Sequence, residues 1–345
     1  MAKICILYTG GTIGMLPTEK GYAPKRGYFG RALDAVPDLH KEGMPEWELV
    51  EFDPLLDSSN IALDQWNEIG RAVAERYDDF DGFVILHGTD TMAYTAAALS
   101  FMFVNLDKPV VLTGSQIPLC SLRSDATDNL ITSMIIAGEG RVRQVCLYFG
   151  GKLIAGTRAV KLSADELVAF ESPNYPCLAR AGITIKYDTD AIARIGRRMR
   201  GAGETDGAFR IVPFSQTAIG VIRIFPGIQL SLFAPVMTEG LGGIVLETFG
   251  TGNIPDYDNE LLPMIRRAFD AGTVVTVCSQ CLRGTVHLGA YETSSSLLDA
   301  GAVSGCDMTT EAAVAKLYYL FSVTTDRAKI REYMEKNLRG ELTEE

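Results

Sequence analysis

The sequence predicts an α/β protein of two domains, the larger one N-terminal and built on a parallel or mixed sheet flanked by helices, the smaller one C-terminal. Three observations carry this. The 345 residues exceed the size at which one hydrophobic core keeps growing. Short apolar runs with glycine-rich exits alternate with helical patterns, as layered α/β sheets require. A charged, glycine-rich stretch without apolar periodicity, Arg194-Ile-Gly-Arg-Arg-Met-Arg-Gly-Ala-Gly-Glu-Thr-Asp-Gly207, reads as a linker. The domains are accordingly placed at 1–190 and 212–345, with the linker at 191–211.

Taken in order, the runs Ile4 to Tyr8, Phe83 to His87, Val110 to Thr113 and Val145 to Phe149 read as buried strands of the first domain. Val221 to Phe225, Ile244 to Leu246 and Val274 to Cys278 play that part in the second. Trp66, Ile69, Val73 and Tyr77 fall on one helical face, and the alanine-rich stretch from Thr91 to Asn105 reads as another helix. Asp125 is placed to cap a helix running to Ala137. The capping-box spacing Ser163-Ala-Asp-Glu166 predicts a further helix through about Phe170.

Composition removes several classes of function. With 43 acidic against 32 basic side chains the net charge is -11, which repels both phosphate backbones and anionic membrane surfaces. No apolar stretch reaches the roughly 18 to 20 residues that span a bilayer. The N-terminal run breaks too early for a secretory segment. Seven cysteines form an odd set without framework spacing, and the chain has only three histidines. Reduced thiols in a cytoplasmic protein follow, with Cys278 and Cys281 as packing residues rather than metal ligands. No metal and no organic cofactor is expected, and neither is a nucleic-acid or membrane partner.

Ligands of open α/β sheets gather beyond the carboxyl ends of the strands, so chemistry is sought in the exit loops. The first, Thr-Gly-Gly-Thr-Ile-Gly at 9 to 14, lacks dinucleotide spacing, and Pro17, Gly21 and Pro24 forbid a helix directly behind it. It does lift the hydroxyl of Thr12 on two glycines, with the phenol of Tyr22 ten residues on. The second, His-Gly-Thr-Asp-Thr at 87 to 91, sets Thr89 beside Asp90 just before a helix. Asp90 is there an ordinary N-cap candidate, while the helix end suits an oxyanion. Thr-Gly-Ser-Gln at 113 to 116 and Gly-Thr-Gly-Asn at 250 to 253 complete the set. His87 reads as a buried, hydrogen-bonded structural residue.

These two signatures resemble those of the bacterial-type L-asparaginase family, in particular its cytoplasmic type I branch. Asp57-Ser-Ser-Asn60, Thr-Gly-Ser-Gln-Ile-Pro at 113 to 118, Lys161 and Asn-Leu-Arg-Gly-Glu-Leu-Thr at 337 to 343 extend the likeness along the chain. The resemblance implies a two-domain asparaginase-like fold, the smaller C-terminal domain being Rossmann-like. It implies hydrolysis of L-asparagine to L-aspartate and ammonia, with Thr12 as nucleophile, Tyr22 beside it on a mobile lid, and Thr89, Asp90 and Lys161 in support. Gly11, Ser58, Ser59, Gly88, Thr89, Asp90 and Ser115 would hold the substrate, and Asn253 would reach in from a neighbouring subunit of a homo-oligomer, dimer or tetramer. A lysine is an ammonium at pH 7 by default, so acting as base carries an energetic penalty. Whether Lys161 or Tyr22 assists stays open. The same likeness puts Val160 and Glu247 where some type I members have a threonine and an arginine of a second asparagine site, which implies little homotropic activation. Broader asparagine and glutamine specificity, a transamidating amidohydrolase subunit, and a non-catalytic asparagine or aspartate sensor are the competing expectations.

Overall fold

A computed structural model describes residues 1–19, 21–201, 207–238, 240–255, 260–289 and 292–344. The chain divides into two compact units, Met1–Ile211 and Val212–Glu345. Among the described residues no helix is long and apolar enough to cross a membrane.

The first unit is organised by an eight-stranded sheet. Its strands are β1 (Lys3–Gly10), β2 (Glu46–Leu56), β3 (Gly82–Leu86), β4 (Val110–Thr113), β5 (Val145–Phe149), β6 (Lys152–Ala155), β7 (Ala179–Ala181) and β8 (Ile185–Tyr187). They lie in the order β8-β7-β6-β5-β4-β3-β1-β2. The five strands from β2 to β5 are parallel, and β6, β7 and β8 join antiparallel. Helices α1 (Leu63–Ala74), α2 (Met92–Met102) and α3 (Ala126–Glu139) are the main helices flanking it. One sheet face presents Ile4, Ile6, Tyr8, Val84, Leu86 and Val111 to Leu130, Met134 and Ala137 of α3. The opposite face buries Cys5, Leu7, Phe83, Ile85 and Leu112, with α2 packed on the same region. Burial on both faces is why these strands are continuous apolar runs rather than alternating ones. The expected interruption after the first glycine turn is a hairpin, Met15–Thr18 against Gly21–Pro24, with Gly21 at φ +114° and Thr18 Oγ1 donating to its carbonyl at 2.7 Å.

Two expectations fail here. Helix α4, Thr189–Gly201, occupies the first half of the supposed linker, and residues 202–206 lie outside the described residues. Its apolar side is short, but Ala191 and Ile195 are buried in the core with Ile192 packed beside them, which suffices to dock its first turns. No helix follows Ser163. The Ser163 hydroxyl does accept from the backbone N–H groups of Asp165 and Glu166, yet Val160–Lys161 pairs antiparallel with Phe170–Glu171 and closes the segment into a loop. A capping signal starts a helix only where an apolar face follows, and Leu167 and Val168 are exposed.

The second unit carries a parallel sheet in chain order: β9 (Ile219–Arg223), β10 (Gly243–Thr248), β11 (Val274–Ser279) and β12 (Val303–Ser304). Helices α5 (Leu261–Asp270), α6 (Thr310–Val323) and α7 (Arg327–Met334) flank it. The terminal segment is tied down by a fully buried ion pair, Lys316 Nζ to Glu341 Oε1 at 2.7 Å. Glu341 also accepts from the backbone N–H groups of Leu338 and Arg339, and Lys316 donates to the Met334 carbonyl.

Candidate active site

The chain enters the large sheet at β1, adds β2 on one side, then crosses back to place β3 on the other. The gap between β1 and β3 is therefore the topological switch point, where open α/β sheets leave a crevice. The register fixes the neighbours: Gly10 faces Leu56, Tyr8 faces Leu86, and Leu86 faces Thr113. Four exit loops, 57–60, 11–14, 87–91 and 114–118, consequently emerge side by side.

They interlock through glycine. Gly11, at φ +86°, lies so close to the next loop that an added Cβ would stand 2.5 Å from the Gly88 nitrogen and 2.6 Å from its Cα. A Cβ on Gly88 would in turn collide with the Ser58 hydroxyl. Thr91 Oγ1 donates to the Ser58 carbonyl at 2.7 Å, and Asp57 accepts from the Ser59 N–H. Thr12 opens a 3-10 turn, half-buried, immediately after the Gly11 contact.

Across the crevice Lys161 Nζ donates to Thr89 Oγ1 at 3.0 Å and to Asp90 Oδ1 at 2.7 Å. Asp90 is thus engaged as an ion partner and not as the N-cap of α2; that position is taken by Thr91. Thr89 is buried, whereas the Asp90 side chain remains largely exposed. Ser115 follows β4, buried, its hydroxyl without a partner among the described residues. Tyr22 projects from the hairpin, half-exposed, its phenol 3.1 Å from Ser121 Oγ. Asn253 belongs to the second unit, in the tight turn that bridges back to Phe249 after β10. The structure thus brings together the loops of Gly11, Thr12, Ser58, Ser59, Gly88, Thr89, Asp90, Ser115 and Lys161, while Tyr22 is bonded to Ser121.

His87 is buried and ties the second loop to α1 and α2. Its Nδ1 donates to the Gly88 carbonyl at 2.7 Å, and its Nε2 accepts from Thr95 Oγ1, which itself accepts from Trp66 Nε1 at 3.0 Å. Burial holds the ring neutral, its pKa lowered to about 4.

Sequence reasoning passed over one neighbour. Gln116 accepts from Thr89 Oγ1 at 3.1 Å, and its amide nitrogen donates to the carbonyls of Ala164 at 3.1 Å and Glu166 at 3.3 Å. Asp125 receives the backbone N–H groups of Gln116 and Ile117, which fixes the loop. Only the presence of Gln116 in a strand-exit loop could have pointed to it, because its carbonyl partners lie about fifty positions away.

A buried hydroxyl backed by an ammonium and a carboxylate, on a loop packed against the glycine turn that carries a second hydroxyl, is an arrangement of the kind acyl-transfer chemistry uses in α/β proteins. Family comparison narrows this. Residues 3–193 match the family model "Asparaginase, N-terminal" and residues 218–334 match "Glutaminase/Asparaginase C-terminal domain". The chain belongs to the asparaginase family. It is 43% identical over 341 residues to L-asparaginase 1 of Escherichia coli, covering 99% of this chain and 98% of that one. The crystal structure of L-asparaginase I from Vibrio cholerae superposes with a TM-score of 0.89 at 42% identity, covering 99% of both chains. The thermostable L-asparaginase from Thermococcus kodakarensis gives 0.86 at 35% identity, over 99% of this chain and all of that one.

Proposed function

We propose that the chain hydrolyses the side-chain amide of L-asparagine to L-aspartate and ammonia by double displacement, with Thr12 as the attacking group. The observation that supports this reading is the hydrogen-bonded Thr89–Lys161–Asp90 chain on a loop whose Gly88 packs against Gly11, the residue before Thr12. Among the described residues the Thr12 hydroxyl makes no hydrogen bond, which leaves it available to substrate.

In the first half-reaction Thr12 Oγ1, its hydroxyl now held by a hydrogen bond to Thr89 Oγ1, attacks the amide carbon, and the Thr12 proton passes to the amide nitrogen. The carbon–nitrogen bond breaks and ammonia leaves an aspartyl ester on Thr12. Backbone N–H groups of Thr12 and Thr89 serve the oxyanion. Water then attacks the ester carbon, its proton returns to Thr12 Oγ1, and aspartate departs. Ser58 and Asp90 hold the substrate's α-carboxylate and α-amino groups, with Ser59 and Ser115 alongside. Tyr22 closes over the hydroxyl from the hairpin, and Asn253 arrives from a neighbouring copy in a homo-oligomer.

The test is ammonia release by purified protein from asparagine and, in parallel, glutamine. Thr12→Ala should lower kcat by about 10³-fold or more while asparagine still binds, since a covalent step is removed and the binding groups are kept. Near-normal turnover in that variant removes the assignment, and no ammonia from the unaltered protein removes the enzyme reading.

A further inference from the structure

Gln116 is joined to the site by hydrogen bonds whose direction is fixed. Its Nε2 lies against the Ala164 and Glu166 carbonyls, which can only accept, so the Oε1 end must face Thr89. That oxygen can only accept in turn, and the single Thr89 proton is committed to it. Both Thr89 lone pairs are then turned away from Gln116: one receives Lys161 Nζ at 3.0 Å and the other is left for a donor in the crevice. Were the amide reversed, its NH₂ would point at Thr89, and the hydroxyl proton would turn toward Lys161 or the crevice.

We infer that Gln116 is a positioning residue for the amide hydrolysis: it holds the Thr89 proton so that a Thr89 lone pair faces the attacking hydroxyl, and it ties that orientation to the loop at 163–166. This rests on the reading of Thr12 and Thr89 given above. The anchoring is rigid on both sides. Asp125 clamps the Gln116 backbone, bonded also to Asn129, and the 163–166 loop is held by the Ser163 hydroxyl. Thr89 therefore accepts a hydrogen bond from the attacking hydroxyl and aims that hydroxyl's oxygen at the substrate, while Lys161 donates to the same Thr89 oxygen and steadies it.

Two substitutions separate this role from mere packing. Gln116→Met keeps the volume but supplies no acceptor to Thr89; kcat should fall roughly 10- to 100-fold with KM moved less than about threefold. Gln116→Glu behaves differently with pH. When protonated, its carbonyl oxygen accepts from Thr89 and its O–H donates to Ala164 or Glu166, reproducing glutamine. When ionised, it sets a charged oxygen against two carbonyl oxygens. Its kcat relative to the unaltered enzyme should therefore be highest in acid and fall about tenfold between pH 5 and pH 8. Activity at the acid end also shows that this variant is folded. A wild-type kcat in Gln116→Met, or a pH-independent ratio in Gln116→Glu, overturns the inference. Thr89→Val measured beside them isolates the cause: if it is inactive while Gln116→Met is normal, only the role of Gln116 falls, and if Thr89→Val itself keeps full activity, the underlying reading of the site falls.

Discussion

Replacing His87 with glutamine should remove a specific acid sensitivity from the first unit. In the folded chain the ring is buried and neutral, with a pKa near 4 against 6.5 for an unperturbed histidine. Because the folded value is the lower one, the unfolded chain takes up a proton first as pH falls. Stability is then fully present above about pH 6.5 and is lost as pH drops toward about 4. At about 1.4 kcal/mol per unit, the gap amounts to about 3 kcal/mol. The assay is urea unfolding at intervals from pH 4.5 to 8, followed by Trp66 fluorescence in a Trp47→Phe background, since Trp66 shares the Thr95 hydroxyl with the ring. The glutamine amide cannot titrate, so the stability difference between the two proteins should shrink or reverse toward acid by an amount of this order. Parallel curves from pH 7 to 4.5 would refute the reasoning, showing that the ring is solvated or charged in the folded state.

Gly11→Ala should abolish activity and lower Tm, because its Cβ meets the Gly88 backbone at 2.5 Å in a backbone conformation that side chains avoid; an active variant with normal Tm would deny the loop contact. Glu341→Ala should destabilise the second unit by about 3 to 5 kcal/mol by leaving Lys316 charged and buried, while a Lys316→Met/Glu341→Leu pair recovers most of the loss; equal losses in both would contradict the ion-pair account. Asparagine saturation should be hyperbolic, since Glu247 is already occupied by Thr310 Oγ1 at 2.6 Å and Arg223 at 3.3 Å, and a sigmoidal initial-rate curve would contradict this.

The site was legible in the sequence where backbone demands are strict. Buried parallel strands need continuous apolar runs, and their glycine exits stand out, so β1, β3, β4 and β5 and the loops that follow them could be read directly. Strand β2 was not legible, because Glu46, Glu48, Glu51 and Asp53 break its hydrophobic pattern at the edge of the sheet, where one flank needs no partner. The short antiparallel additions β7 and β8 carry too few residues for a periodic signal. Helix α4 hid because its apolar contacts fall at its start and the following residues are charged. At the candidate site, the sequence singled out Thr12, Thr89, Asp90 and Lys161 but not the hydrogen bonds that join the last three. Asp90 looked like a cap and is an ion partner, and Gln116 gained its meaning only when the fold brought the 163–166 loop against it.

Mass spectrometry of the enzyme quenched during asparagine turnover tests the central claim most directly. The account predicts an aspartyl ester on the peptide that contains Thr12, absent from Thr12→Ala. An adduct on Thr89, or none under conditions where ammonia release continues and quenching demonstrably traps esters, would contradict it.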